Sequence, residues 1–308
     1  MRKKVSIIGS GNVGATTALL ILHSGLADVV LLDIVEGIPQ GKALDMAEAC
    51  PLWNISSKIK GTNSYADTAN SDIIVITAGF PRKPGMSRSD LLHANANVVK
   101  ASCREIAKSS PNAIIIVVTN PMDVMAQLAW KTTGFSYKRV MGMGGILDAS
   151  RLRAFISWEL QVAPEDTEAL VLGGHGDDMI PLARFTTVKG IPLTELLSKR
   201  KIESLIERTR KGGAEIVHLL QTGSAYYAPA AATLHMIKAI LLDEKRLLPC
   251  SAYLNGEYGV KDLYMGVPVI LGQDGVKKIV EVKLSKDEKT QFRKSSASVR
   301  KLIKTLSI

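Results

Sequence analysis

Cysteine is scarce in this chain. Cys50, Cys103 and Cys250 lie far apart among 308 residues with no CxxC spacing, which argues against a zinc site or a disulfide framework and points to a reducing cytoplasm. Long apolar runs are missing too. None approaches the roughly 20 residues of a membrane span, and the basic start Met1 Arg2 Lys3 Lys4 leads into an apolar stretch too short for a signal peptide. Aromatic residues are only 5% of the chain and do not interleave with basic ones. The base-stacking surface of a nucleic-acid binder is therefore not expected, despite a net charge of +10. The basic residues are dispersed, with modest clusters at 199–201, 208–211 and 294–304 that read as solvated helix faces. The milder consequence of the charge is steering of anionic substrates and dinucleotides.

What is present is a regular alternation. Short β-branched runs at 5–9, 29–33, 58–61, 73–78, 114–119 and 139–143 are separated by helical patterns at 13–24, 40–50, 89–109 and 122–133. Gly25 and Pro111 stand where helix stop signals belong. This predicts an α/β fold with a six-stranded, mostly parallel, doubly wound sheet, whose ligands bind beyond the carboxyl ends of the strands. Beyond residue 145 the pattern changes to longer helices at 146–160, 201–221, 228–242 and 286–306, with strands near 169–172, 183–188, 252–254 and 267–282. The expected division is a dinucleotide-binding domain at 1–144 and an α+β substrate and catalytic domain at 145–308, packed around a shared cleft.

The sequence Gly9 Ser10 Gly11 Asn12 Val13 Gly14 follows the first strand and opens the first helix. In that context Gly9 permits a tight turn, Gly11 lets the backbone approach a pyrophosphate, and Gly14 allows close helix packing. Phosphates would then meet the free N–H groups at the helix N-terminus. Asp33 ends the second strand, where its carboxylate would accept from ribose hydroxyls and repel a 2′-phosphate, favouring NAD over NADP.

Asp148 and Arg151, three residues apart in a helical pattern, share one face. Gly173 Gly174 His175 Gly176 Asp177 ends an apolar strand and leaves an imidazole room beside a ligand. Asp148 and His175 make an acid/base pair if folding joins them, with Arg151 as a fork for a carboxylate. Separately, the first two are also compatible with a surface pair and His175 with a turn residue. His23, His93, His218 and His235 fall within helical patterns and read as packing or surface residues. Asn120, before Pro121 at the end of a strand, is placed to hold a substrate oxygen or the nicotinamide carboxamide, although Asn-Pro is also a common turn and a candidate cis peptide. The loop at 80–88 carries Arg82 and Arg88 between proline and glycine. It reads either as a solvated basic loop or as a hinged clamp for a small polyanion.

Together these segments resemble the lactate and malate dehydrogenase family, most nearly its lactate-dehydrogenase-like malate dehydrogenases. The resemblance spans nearly the whole chain through GSGNVG at 9–14, Asp33, AGFPRKPGMSRSDLL at 78–92, TNPMD at 119–123, LDASR at 147–151 and GGHGD at 173–177. It implies an NAD-dependent interconversion of (S)-malate and oxaloacetate. On this resemblance His175 exchanges a proton with the substrate oxygen, Asp148 supports it, Arg151 binds the C1 carboxylate, Arg88 polarises the carbonyl and Asn120 assists binding. Arg82 would select a dicarboxylate, and Gly223 and Ser224 would leave room for it where lactate enzymes carry a larger wall. Cofactor contacts are implied at Gly9, Ser10, Gly11, Asn12, Val13, Gly14, Asp33, Thr77, Ala78, Gly79, Asn95, Thr119 and Asn120. The family also implies a homo-oligomer, often a tetramer and sometimes a dimer. Asp178 stands where serine or threonine is common, a difference that bears on hydrogen bonding beside the histidine. Lactate as substrate, a catalytically silent NAD-binding module and nucleic-acid binding are the competing readings.

Overall fold

The computed structural model describes residues 2–80 and 88–307, with Arg88 described as backbone alone. Its first half alternates strand and helix: β1 (Lys4–Ile8), α1 (Asn12–His23), β2 (Asp28–Leu32), α2 (Ile38–Ala49), β3 (Ile59–Thr62), β4 (Ile73–Ile76), α3 (Arg88–Ser109), β5 (Ile114–Val117), α4 (Met122–Thr133) and β6 (Val140–Gly142). All six strands pair in parallel in the order β3-β2-β1-β4-β5-β6. The central strands β4 and β5 are buried at every residue, because helices cover both faces of a parallel sheet. The order reverses between β1 and β4, which opens a crevice beyond their carboxyl ends.

The second half begins with α5 (Gly145–Leu160), followed by the short strands β7 (Thr167–Glu168), β8 (Val171–Leu172), β9 (Ile180–Pro181), β10 (Thr187–Val188) and β11 (Ile191–Pro192). Then come α6 (Leu193–Leu196), α7 (Lys199–Leu220), α8 (Tyr227–Leu241), β12 (Arg246–Asn255), β13 (Lys261–Gly272), β14 (Gly275–Ile279) and α9 (Lys286–Thr305). The sheet does not stop at six strands. β12 pairs antiparallel with β6 through Ser251 and Gly142, and β13 and β14 extend it to nine strands. The two halves therefore share a sheet as well as a cleft. Helix α1 also packs against α8 from the other half.

Two expected strands differ. The run at 183–188 holds a 3-10 turn at Ala183–Phe185 before β10, with the Arg184 guanidinium 4.1 Å from the centre of the Phe185 ring. The run at 267–282 is broken by Gln273-Asp274, a two-residue hairpin loop that joins Gly272 to Gly275. The basic clusters lie on the outer faces of α7 and α9, and several are paired, as in Arg208 with Glu215 and Lys201 with Glu159. No described helix is long and apolar enough to cross a membrane.

Candidate active site

The glycine-rich turn sorts its three glycines by geometry. Gly9 has a φ of +104° and lies against the β4 extension, where a Cβ would meet the Ala78 backbone nitrogen at 2.7 Å. A Cβ on Gly14 would collide with the Gly9 carbonyl, so only glycine lets α1 start so close to the turn. A Cβ on Gly11 would meet nothing within 4 Å. Open space there, at the N-terminus of α1, fits the approach of a pyrophosphate. Asn12 is exposed and Val13 half-buried in the same first turn.

Ser10 is buried and tied down at each of its polar groups. Its backbone N–H and hydroxyl donate to Asp33 Oδ2 at 2.6 and 2.9 Å, and the Lys42 ammonium donates to its carbonyl at 2.7 Å. Asp33 Oδ1 accepts from the Val35 N–H at 3.1 Å. Burial raises the Asp33 pKa, but the bonds from Ser10 and from the Val35 and Ile34 backbone outweigh it and hold the carboxylate below its ordinary range. A permanently ionised acceptor at the end of β2 suits ribose hydroxyls and opposes a phosphate.

Across the crevice, Thr77 donates its hydroxyl to the Gly9 carbonyl at 3.0 Å and Thr119 donates to the Ala78 carbonyl at 2.7 Å. Gly79 leaves no room for a side chain between Thr119 and Asn95. Asn95, expected to contact the cofactor, is 2% exposed and already committed. Its Oδ1 accepts from the Phe80 N–H at 2.7 Å and its Nδ2 donates to the Asn120 carbonyl at 2.8 Å. These two bonds tie the ends of the segments that line the crevice together. Asn120 itself is exposed, and its bond to Pro121 is cis.

The chemistry-bearing residues come together from α5 and the loop between β8 and β9. His175 Nδ1 lies 2.8 Å from Asp148 Oδ2, and Arg151 Nη1 donates to Asp148 Oδ1 at 3.4 Å. Asp148 is 1% exposed, while the His175 and Arg151 side chains are each 13% exposed. One buried carboxylate thus backs two groups that both reach the surface of the cleft. Asp148 lies in the first turn of α5, where the helix dipole favours a negative charge. Its Oδ2 fixes the tautomer that leaves Nε2 free for a ligand. Burial alone would push the His175 pKa down, yet the charge and hydrogen bond of Asp148, then the charge of Asp123, outweigh burial and the opposing Arg151. The imidazole therefore titrates above its ordinary value of 6.5. Asp178 is not among the charges that act most on it. Burial lowers the Arg151 pKa against the pull of Asp148, but a guanidinium stays charged in proteins. Its buried Nε has no partner among the described residues, as suits a fork awaiting a carboxylate.

Several residues that hold this site were not singled out from sequence. A Cβ on Gly212 would lie 3.1 Å from Arg151 Cδ, and one on Gly213 3.6 Å from Nη2. The Gly-Gly pair lets α7 pass beside the guanidinium. Two consecutive glycines inside a helix, each costing about 1 kcal/mol against alanine, were the available signal. Asp123 accepts the His175 backbone N–H, and Ser295 accepts that of Gly174. Gly173 and Gly266 bond reciprocally and join the histidine loop to β13. Arg82 lies outside the described residues, and the Arg88 side chain does also. Gly223 and Ser224 are exposed in the turn from α7 to α8. The other histidines lack such a setting: His23 meets the edge of Trp53, His93 bonds the Ser89 carbonyl, His218 is exposed, and burial with nearby Arg246 pushes the pKa of His235 down.

A doubly wound sheet with a glycine-rich turn, an acidic second strand and a buried aspartate-histidine pair defines a nicotinamide-dependent dehydrogenase fold and site. Residues 3–142 match the NAD binding domain of lactate/malate dehydrogenase, and residues 146–307 match its alpha/beta C-terminal domain. The chain belongs to the lactate/malate dehydrogenase family. It is 54% identical over 306 residues to a malate dehydrogenase of Roseiflexus castenholzii, covering 99% of each chain. Its fold superimposes on the crystal structure of Cryptosporidium parvum malate dehydrogenase with a TM-score of 0.97 and 46% identity, covering 100% of this chain and 99% of the other. The lactate dehydrogenase of the same organism, solved with lactic acid and nicotinamide adenine dinucleotide, gives the same TM-score at 42% identity, covering 100% and 98%. Backbone similarity alone thus does not separate the two substrates.

Proposed function

We propose that this chain catalyses the reversible, NAD-dependent interconversion of (S)-malate and oxaloacetate. The carrying observation is the shared carboxylate of Asp148, which orients His175 for proton transfer and sets Arg151 beside it. In oxaloacetate reduction, protonated His175 gives its Nε2 proton to the C2 oxygen. Bound NADH supplies the hydride to C2. Arg151 holds the C1 carboxylate and Asn120 a neighbouring oxygen, converting a bimolecular encounter into an oriented one. Arg88 stabilises the charge that develops on the C2 oxygen, and Arg82 pairs with the second carboxylate, which names malate rather than lactate. Gly223 and Ser224 leave room for that longer substrate.

Residues 1–144 hold the dinucleotide on the glycine-rich turn, on Asp33 and along the wall of Thr77, Ala78, Gly79 and Thr119, whereas 145–308 supply the proton-transfer pair. A homo-oligomer, tetramer or dimer, is supported by large exposed apolar residues on α2, α7 and α8, among them Leu44, Leu219 and Tyr227, exposed by 61%, 73% and 70%. The three free, buried cysteines suit a reducing cytoplasm.

The direct test is a steady-state comparison of oxaloacetate with pyruvate, each with NADH and NADPH, across pH. Oxaloacetate with NADH should dominate. Because reduction needs the imidazolium, kcat/KM for oxaloacetate should fall as pH rises through a midpoint above 6.5, while malate oxidation should rise over the same interval. Equal use of pyruvate, or a reduction rate that climbs with pH, would overturn the reading.

Cofactor choice has its own expected outcome. An Asp33→Ser change should raise the NADPH to NADH ratio of kcat/KM by roughly tenfold or more, since a like-charge repulsion of about 1.4 kcal/mol corresponds to tenfold. An unaltered ratio would remove Asp33 from that role.

A further inference from the structure

The His175 imidazole is held by Asp148, but its backbone is held from the other half of the chain. Asp123 stands in the first turn of α4, three residues beyond Asn120, and is 4% exposed. Its Oδ2 accepts the His175 backbone N–H at 2.8 Å, and its Oδ1 accepts the Ser251 hydroxyl of β12 at 2.6 Å. We propose that Asp123 is a positioning residue for proton transfer, its carboxylate clamping the His175 backbone to the same helix end that carries Asn120. The inference rests on the function proposed above and extends it to a residue outside the aspartate-histidine pair.

The geometry constrains the protonation state of this clamp. Both partners are donors, one to each carboxylate oxygen, so the ionised form satisfies both. Burial, with the charge of Asp148, pushes the Asp123 pKa above its ordinary value, and the bonds from Ser251 and His175 with the His175 charge offset only part of that rise. The N-terminal turn of α4 favours the anion as well. Among the described residues, the charges that act most on His175 are Asp148 and Arg151 from α5 and Asp123 from α4, with neutral Ser251 on β12 and Ser295 on α9 behind the loop. Asp123 therefore acts in two separable ways. It fixes where the imidazole starts from, and it adds a second negative charge near it. Because Asn120 directly precedes the Pro121 N-cap of the helix whose first turn carries Asp123, the clamp ties the proton donor to the segment that bears the amide expected at the substrate.

Two substitutions separate the effects. Asp123→Asn is isosteric: its oxygen can accept the His175 N–H and its amide can donate to Ser251, so the clamp survives without its charge. Asp123→Ala removes both. The full-length variants would be compared by kcat and KM across pH, by fluorescence titration with NADH, and by NMR titration of the His175 ring. For Asp123→Asn, the expected result is unchanged NADH affinity with the alkaline limb of kcat/KM and the ring midpoint both moved down by roughly half a pH unit or more. For Asp123→Ala, kcat should fall about tenfold to hundredfold, the scale of a misplaced reacting group, with KM for NADH unchanged.

A ring midpoint and pH profile for Asp123→Asn that superimpose on those of the parent would overturn the proposal, as would an Asp123→Ala kcat within twofold of it. Should Asp123→Ala fail to fold, the Asp123→Asn profile decides. The NMR titration reads Asp123 independently of turnover. A shifted ring midpoint in a protein that does not reduce oxaloacetate would sink the proposed function and leave the clamp standing.

Discussion

A His175→Asn enzyme is expected to lose nearly all turnover in both directions while still binding NADH. Asparagine can keep a hydrogen bond to Asp148, so the loop and the cofactor site should survive. What it cannot do is carry a proton on and off at working pH. General acid and base catalysis by a positioned side chain contributes about 10²–10⁴-fold, and kcat should fall on that scale. The site makes the loss severe because no second imidazole replaces the first: among the described residues, only His175 pairs with a buried carboxylate. Residual activity near that of the parent, or loss of NADH binding in a folded variant, would remove His175 from the proton-transfer role.

The second large effect is expected from Arg82→Gln. Oxaloacetate carries a carboxylate at each end, and Arg151 is placed to hold only one. Without a second guanidinium the other charge enters a closed site unpaired, whereas pyruvate has no such group to strand. Sites built around polar partners discriminate on the order of 10⁴, so the oxaloacetate to pyruvate ratio of kcat/KM should drop by about 10³ to 10⁴. That ratio, measured with NADH at one pH, is the readout. A ratio unchanged by the substitution would return the choice of substrate to the wall at Gly223 and Ser224. The relatives make this experiment informative, since a malate and a lactate dehydrogenase share this backbone equally well.

Much of the first half was legible because its signals are local. β-branched runs buried on both faces, glycines at the first turn and an acid at the end of β2 each owe their meaning to a few neighbouring residues, and six parallel strands follow from their alternation with helices. The acid/base set was legible for a different reason. Asp148 and Arg151 share a helix face by periodicity, and the glycines around His175 announce a crowded loop. Which carboxylate meets the imidazole was carried by the family resemblance, and the 2.8 Å contact then realised it.

Other features depend on partners distant in the chain. That Asn95 bonds both Phe80 and Asn120 depends on how α3 lies against the ends of β4 and β5. The antiparallel pairing of β12 with β6, which continues the sheet of the first half into the second to give nine strands, joins residues 142 and 251. Asp123 reads locally as a helix-start residue, and only the fold brings it the His175 N–H and the Ser251 hydroxyl. The sequence by itself determined the doubly wound half and its glycine-rich turn, since these follow from backbone propensity and local chemistry, while the roles proposed for His175 and the arginines came with the family resemblance. The tertiary structure alone decided which buried acid holds the histidine's backbone and which hydroxyl that acid holds in turn. A buried polar group must find its partner inside the protein, and for Asp123 those partners are set by packing with residues 52 and 128 positions away.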